Sequence, residues 1–162
     1  MKDVISFRPV NSKDELFLYR LYASTRETEL AQTNWSQAEK QTFLKQQFRA
    51  QHQFYMQQFS DAAFDVVLID KQPAGRLYVD RRVDEIRLID IALLPEHRNK
   101  GIGTSLISDL LNEAKEENKP LRIHVEKFNP ALQLYKRLGF REVSDSGVYY
   151  LMEWSADQNL CE

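Results

Sequence analysis

The sequence predicts an α/β fold built on a mixed β-sheet. Seven short runs rich in β-branched, aromatic or alternating apolar residues predict strands, and four longer runs with apolar residues at helical spacing predict helices between them. After a first strand and two helical runs, the order continues with an antiparallel meander and ends as strand, helix, strand, helix, strand, strand. At 162 residues, 43% of them hydrophobic, the chain can bury a core, and we expect one domain over residues 1–162.

The N-terminal half is predicted to hold three strands and two helical runs. The strands cover 4–10, 64–70 and 74–82, and the helical runs cover 11–25 and 34–59. Asn11 or Ser12 is suited to cap the first helix, and Ser36 the second run, which is either one long helix or two short ones. The second and third strands read as a hairpin with Pro73 at its turn.

The C-terminal half is predicted to hold four strands and two helices. The strands cover 85–94, 120–128, 139–143 and 147–154, and the helices cover 104–118 and 130–138. The run 85–94 is dense in Ile and Leu, which is typical of a central strand buried on both faces. Pro130 is placed at or near the first turn of the last helix, where a proline is tolerated.

Charge and composition disfavour several classes of partner. The formal charge of −2, from 22 basic and 24 acidic residues, provides no basic field for nucleic acid. No apolar run approaches the roughly 18 residues of a membrane span, and the N-terminus lacks the apolar segment of a signal peptide, so we expect a cytoplasmic protein. Cys161 has no partner for a disulfide, and His52, His97 and His124 lack metal-ligand spacing, so we predict no metal.

Two glycines, Gly101 and Gly103, lie between a strand ending at Leu93 or Leu94 and an amphipathic helix. Such a junction directs unpaired N–H groups and the positive end of the helix at one point, which is an anion site in geometry. A plain strand-to-helix turn is the alternative. A Walker loop is excluded because Lys100 precedes the glycines, and the letters G-I-G-T-S-L do not form a dinucleotide fingerprint.

The loop does fit the pattern R-x-x-G-x-G, and a second pattern follows about 25 residues later. The matching positions are Arg98, Gly101 and Gly103, then Asn129, Tyr135, Gly139 and Phe140. In this order and spacing the two patterns resemble the GCN5-related N-acetyltransferase (GNAT) family, specifically over residues 85–142. The resemblance implies an acyl-CoA N-acyltransferase fold of about seven strands, with helices on both faces and a splay between strands four and five.

The resemblance also implies acetyl-CoA as co-substrate. The loop positions that it assigns to the pyrophosphate are consecutive: Arg98, Asn99, Lys100, Gly101, Ile102, Gly103 and Thr104. Exposed backbone at Ile91 and Leu93 would pair with pantetheine as an added strand does. Asn129 and Tyr135 match positions that contact the cofactor after the fifth strand.

For catalysis the resemblance implies direct acetyl transfer to an amine, without an acyl-enzyme. The Leu93 N–H would stabilise charge on the acetyl oxygen, and Tyr135 would give a proton to the leaving thiolate. A core tyrosine is the alternative for Tyr135. The base that removes the amine proton stays open between His124 and Asp90, with Glu126 or water as further options.

The acceptor is the least determined part of the reading. We expect a primary amine of a small molecule or peptide, in a pocket shaped by the first helices and residues 144–147, as the resemblance implies. Glu27, Glu29 and Trp35 are suited to attract and pack a cation, or are simply solvated. A non-catalytic acyl-CoA-binding module and a transferase of longer acyl groups remain alternatives, and a homodimer stays open beside a monomer.

Overall fold

The computed structural model describes residues 4–156, so Cys161 lies outside the described residues. The strands are β1 Ile5–Pro9, β2 Ala63–Ile69, β3 Gln72–Arg81, β4 Ile86–Leu93, β5 Leu121–Glu126, β6 Arg141–Asp145 and β7 Tyr149–Trp154. The helices are α1 Glu15–Ala31, α2 Gln37–Gln58, α3 Ile102–Glu117 and α4 Leu132–Arg137, with short 3₁₀ turns at Ser12–Asp14 and Pro95–His97. None of the described helices is long and apolar enough to cross a membrane.

The strands form one sheet in the order β1-β2-β3-β4-β5-β7-β6. β1 and β2 are antiparallel, β7 is antiparallel to both β5 and β6, and β4 and β5 are parallel. The predicted α/β class with a mixed sheet is therefore confirmed. The described chain divides into two compact units. The first consists of residues 4–78 and 91–98, and the second of residues 79–90 and 99–156. The single domain remains a prediction.

In the first unit, α1 and α2 pack together through an apolar cluster. Its buried members are Leu18, Tyr22, Leu30, Leu44 and Phe48. Asn11 accepts a hydrogen bond from Lys13 N–H at the start of the turn that leads into α1, as a capping residue does. Ser36 and Glu39 form a reciprocal capping box at α2, which is one helix and not two.

The turn of the β2–β3 hairpin is not at Pro73, so that prediction was wrong. Asp70 and Lys71 form the turn, with φ of 50° and 70°. Two consecutive residues with positive φ match the twist of an antiparallel hairpin, and Asp tolerates this conformation better than most residues. Pro73 instead lies in β3, where it is partly buried.

Gly75 lies where β3 meets the end of β4. A Cβ at this position would lie 2.2 Å from the carbonyl oxygen of Ala92 and 2.8 Å from a side-chain methyl of Leu93. The Leu93 methyl could turn away, but the approach to the Ala92 carbonyl cannot be relieved without a shift of the backbone, so close packing requires glycine here. Sequence analysis did not single out Gly75.

The end of β4 directs successive peptide groups to opposite sides. Leu94 donates its N–H to the carbonyl of Ala74 in β3 at 2.8 Å. Because backbone polar groups alternate along a strand, Ile91 and Leu93 direct theirs away from β3. These are the two positions that the family resemblance assigns to pantetheine.

In the second unit, the parallel pair β4–β5 has a short register. The paired residues are Ile86 with Leu121, Arg87 with Arg122, and Leu88 with Ile123. The pairing ends at Leu88, which is the splay expected between the fourth and fifth strands. Ile86 and Leu88 are buried, but side chains from Ile89 to Leu93 are only partly buried. The prediction of a strand buried on both faces was wrong for this later half.

We predict that Gly75→Ala lowers the free energy of unfolding by about 1–3 kcal/mol, because the added methyl overpacks against the β4 backbone. Urea denaturation checks this. Gly103→Ala is the matched control: a Cβ there meets no atom within 4 Å, so its effect should stay within about 1 kcal/mol in either direction. Equal stability of Gly75→Ala and wild type would contradict the packing argument.

Candidate active site

The loop between β4 and α3 turns sharply through two left-handed residues. Asn99 has a φ of 61° and Gly101 a φ of 81°. Asn tolerates this region better than most side chains, and Gly adopts it without cost, so the local sequence suits the turn. The loop thereby brings the chain into α3 with Gly101 as the N-cap residue.

The first turn of α3 presents backbone N–H groups without intrahelical acceptors. The helix begins at Ile102, two residues before the predicted start, and its first helical bond runs from Ser105 N–H to the Gly101 carbonyl at 3.0 Å. The N–H groups of Ile102, Gly103 and Thr104 precede that bond and have no acceptor within the helix. Gly101 supplies no side-chain cap, and no acidic residue lies in this turn.

The two loop glycines leave open space in front of their backbone. A Cβ built on Gly101 or Gly103 meets no atom within 4 Å. Gly103 is helical, so neither its conformation nor packing within the protein requires glycine there. Another reason for glycine at a position of this kind is that a ligand approaches the backbone closely. The geometry fits an anion held at the start of α3.

Arg98 is engaged within the first unit. Its backbone N–H donates to the Pro95 carbonyl at 3.2 Å, so this amide is already used in the 3₁₀ turn. Its guanidinium donates to the Leu93 carbonyl at 2.9 Å and to the Ser24 hydroxyl at 3.0 Å. The amides available to a ligand therefore begin after Arg98. The sequence places Ser24 in the first helices, which are expected to shape the acceptor pocket, and gives no signal that it contacts Arg98.

Tyr135 lies on α4 and is only 3% exposed. Its ring packs edge to face against Phe140, with centroids 5.4 Å apart. Burial raises the pKa of Tyr135 well above its usual range, and the negative charge of Asp90 raises it further. The hydroxyl therefore keeps its proton at neutral pH, as a proton donor must. Packing against Phe140 also suits the core role that sequence analysis left open.

Asn129 shapes the entry into α4. Its backbone N–H donates to the Glu126 carbonyl and its side-chain oxygen accepts from Ala131 N–H, each at 2.9 Å. The side-chain oxygen is thus used locally, and the side-chain NH₂ is the group left to face a ligand.

His124 lies beside Arg87 on one face of the second unit. An Arg87 Nη1 lies 3.2 Å from His124 Nδ1. Because a guanidinium only donates, Nδ1 accepts and the proton of the neutral ring lies on Nε2. Desolvation lowers the pKa of His124, and the charge of Arg87 lowers it further, against an opposite effect of Glu85. Arg87 was not identified from the sequence.

Asp90 belongs to the opposite face of β4 from His124. Arg87 pairs with Arg122, and these two residues share a face with His124 by alternation along the strands. Asp90, three residues beyond Arg87, points to the other face, where its charge acts on Tyr135. Asp90 and Tyr135 are therefore brought together, whereas His124 is not part of this pair.

Two of the three residues considered for the acceptor, Glu29 and Trp35, have partners within the protein. Glu29 forms an ion pair with Arg26 at 3.2 Å, and the Trp35 ring packs against Phe43 with centroids 5.2 Å apart. Trp35 remains 41% exposed and Glu27 is exposed. Within residues 4–156, no group of three or more His, Cys, Asp or Glu side chains is arranged to hold a metal ion.

The sequence was compared with models of known families. The model of the acetyltransferase (GNAT) family matches residues 16–140. The chain belongs to this family. The matched range includes the α3 loop, Asp90, His124 and Tyr135, and it confirms the resemblance drawn from the two short patterns.

Curated relatives are N-acetyltransferases of the same family type. The N-alpha-acetyltransferase of Sulfurisphaera tokodaii is 30% identical over 107 residues, covering 56% of this chain and 63% of that protein. The ribosomal protein bS18-alanine N-acetyltransferase of Haemophilus influenzae is 36% identical over 69 residues, covering 42% and 47%. The chain thus spans less than two thirds of the length of these relatives.

Solved structures share the fold over nearly the whole chain. The PaiA N-acetyltransferase from Thermoplasma acidophilum, in complex with coenzyme A, has a TM-score of 0.69 at 18% identity and covers 94% of this chain and 99% of that one. The ribosomal-protein-S18-alanine N-acetyltransferase from Escherichia coli has a TM-score of 0.59 at 19% identity, with 94% of each chain covered. At these identities the likeness concerns the fold, and it confirms the predicted GNAT fold.

Proposed function

We propose that this GNAT chain transfers an acetyl group from acetyl-CoA directly to a primary amine. The observation that carries the proposal is the start of α3, where N–H groups have no helical acceptor and where a Cβ at Gly101 or Gly103 would meet no atom within 4 Å. This arrangement supports a pyrophosphate site without a lysine or a metal, since backbone amides and the helix end supply the positive potential.

The residues proposed to hold the cofactor are assigned by their backbone groups. The amides from Asn99 to Thr104 are assigned to the pyrophosphate, and the backbone of Ile91 to pantetheine. The Leu93 carbonyl already accepts from Arg98, so Leu93 offers its N–H. Asn129 offers its side-chain NH₂. Acetyl-CoA, when bound, supplies the acetyl group as a thioester. The Leu93 N–H is assigned to the acetyl oxygen, where charge develops during the reaction.

Tyr135 is proposed as the proton donor to the leaving sulfur. Burial keeps its hydroxyl protonated, and Asp90 is close enough to act on it electrostatically. A dry site around the phenol would favour attack by the amine over hydrolysis of the thioester by water.

Asp90 is proposed as the base in preference to His124. The Nδ1 lone pair of His124 faces the Arg87 guanidinium, and the remaining ring nitrogen carries the proton in the neutral tautomer. His124 therefore has no lone pair for an amine unless the Arg87 contact breaks. Asp90 lies on the opposite face of the sheet from His124, where its charge raises the pKa of Tyr135.

The α-amino group of a peptide is the first acceptor class to test. Two relatives carry names that specify N-alpha-acetylation and acetylation of an alanine of a ribosomal protein. Those names describe those proteins, and they support a peptide amine over a small-molecule amine for this chain. A free α-amine has a pKa of about 8, well below that of a lysine side chain. A larger fraction of it is therefore already unprotonated at neutral pH, and less depends on a base.

Gly103→Val is predicted to abolish coenzyme A binding. The β-branched side chain would occupy the open space in front of the α3 amides, where the pyrophosphate is proposed to lie. Isothermal titration calorimetry should show at least about a hundredfold weaker binding, since several charge-assisted hydrogen bonds are lost together. Gly103→Ala, whose single methyl would meet no atom within 4 Å, should bind within about tenfold of wild type. Unchanged affinity of Gly103→Val would overturn the loop assignment.

Tyr135→Phe is predicted to lower kcat by about 10²–10⁴-fold, the usual contribution of a general acid, with little change in coenzyme A affinity. Thiol release from acetyl-CoA is followed with peptides that carry free N-termini, after a screen of peptides, polyamines and amino acids identifies an acceptor. Product mass confirms acetylation. If the wild type binds coenzyme A but transfers acetyl to no amine, the non-catalytic module is the correct function.

Asp90→Asn is predicted to lower kcat by about 10²–10⁴-fold, whereas His124→Gln should stay within about tenfold of wild type. The amide of Asn keeps the shape of the side chain but cannot accept the amine proton at neutral pH. The pH dependence of kcat provides the second readout: its acidic limb should keep its position in His124→Gln. A large loss in His124→Gln with normal Asp90→Asn would reverse the assignment.

A further inference from the structure

The guanidinium of Arg98 connects the end of β4 to α1. Its Nε donates to the Leu93 carbonyl at 2.9 Å, and its Nη2 donates to the Ser24 hydroxyl at 3.0 Å. Ser24 in turn donates to the Leu21 carbonyl within α1 at 2.7 Å. The side chain returns to Leu93, five residues earlier, because the 3₁₀ turn at Pro95–His97 reverses the chain.

The peptide unit between Leu93 and Leu94 is held at both of its polar groups, one of them by Arg98. The Leu94 N–H is bound to Ala74 in β3 at 2.8 Å, and the Leu93 carbonyl of the same peptide is bound to Arg98. A peptide unit is planar, so holding both polar groups sets its orientation. Leu93 is thereby held between two fixed planes, since the Ala92 carbonyl before it packs against Gly75.

The orientation of the Leu93 N–H follows from these two contacts. The Leu93 N–H is in the same peptide unit as the Ala92 carbonyl, which faces Gly75 in β3. The N–H and C=O of one peptide unit point in opposite directions, so the Leu93 N–H points away from β3. This is the N–H to which the proposed function assigns the acetyl oxygen. Stabilisation of charge at such an oxygen depends steeply on the placement of the donor.

We infer that Arg98 is a positioning residue for acetyl transfer, holding the Leu93 backbone in the orientation that stabilises the acetyl oxygen. The inference rests on the proposed function and deepens it. The Ser24 contact ties the same backbone to α1. Arginine suits this role because its planar fork donates in two fixed directions, whereas lysine is a flexible point charge.

The rival role for Arg98 is direct binding of the pyrophosphate by its positive charge. The two roles differ in what they change. A phosphate ligand acts on affinity for coenzyme A, whereas a residue that orients the Leu93 N–H acts on kcat. Both hydrogen bonds of the guanidinium go to uncharged groups of the protein, which supports the positioning role.

The test compares Arg98→Ala, Arg98→Lys and Ser24→Ala with Arg20→Ala, which removes an exposed guanidinium from α1. We expect Arg98→Ala to lose about 10- to 100-fold in kcat, as misplacement of a catalytic group does. Its dissociation constant for coenzyme A should change by less than about threefold, the size of an exposed charge effect. Arg98→Lys should lose nearly as much, Ser24→Ala less, and Arg20→Ala nothing measurable.

Amide hydrogen exchange gives a readout that does not depend on turnover. In Arg98→Ala, the Leu94 amide should exchange about tenfold faster or more, because its peptide has lost one anchor. Unchanged kcat, full activity in Arg98→Lys, or a loss of affinity as large as the loss of kcat would overturn the inference. Absence of turnover in the wild type would instead overturn the proposed function, and unchanged exchange would show that Arg98 does not hold this peptide.

Discussion

A buried carboxylate at the start of β4 is the constraint on which the second unit depends. Glu85 is 3% exposed, accepts hydrogen bonds from Arg122 at 2.6 Å and Arg82 at 3.2 Å, and forms an ion pair with Arg87 at 3.0 Å. These residues fix the parallel pair β4–β5 at its beginning. Because the pair is held there, its register can stop at Leu88 without loss of alignment. The two strands are paired at their beginning, and in the described residues no pair follows Leu88 and Ile123.

The Glu85 carboxylate also compensates the positive charges of Arg87 and Arg122 beside it. Arg87 and Arg122 face each other across the pair, and like charges in that position would be destabilising without Glu85 between them. Desolvating Glu85 costs several kcal/mol, which the guanidinium groups around it offset. Held by Glu85, Arg87 keeps a second nitrogen for His124. His124 is thus bonded to a residue of this network, a contact that its residue type alone did not indicate.

Sequence patterns predicted local features well and long-range contacts hardly at all. The caps at Asn11 and Ser36, the glycine loop and the motif around Tyr135 depend on neighbouring residues, and their patterns could be read directly. Arg87 beside His124, and Arg98 on Ser24 in the distant helix α1, depend on strand register and chain reversal, for which the sequence has no local signal. The hairpin turn was misplaced because Pro73 is a stronger turn signal than the Asp70–Lys71 pair that forms it.

Asp90 and Tyr135 are coupled electrostatically, and this coupling suggests an order for the two proposed proton transfers. Burial is the larger reason that the pKa of Tyr135 is raised, and the charge of Asp90 raises it further. If Asp90 takes the proton of the amine, as proposed, the smaller of these two contributions is removed and the pKa of Tyr135 falls. The hydroxyl then becomes a better donor as the sulfur begins to leave. In the proposed reaction the transfer to Asp90 therefore precedes and assists the transfer from Tyr135.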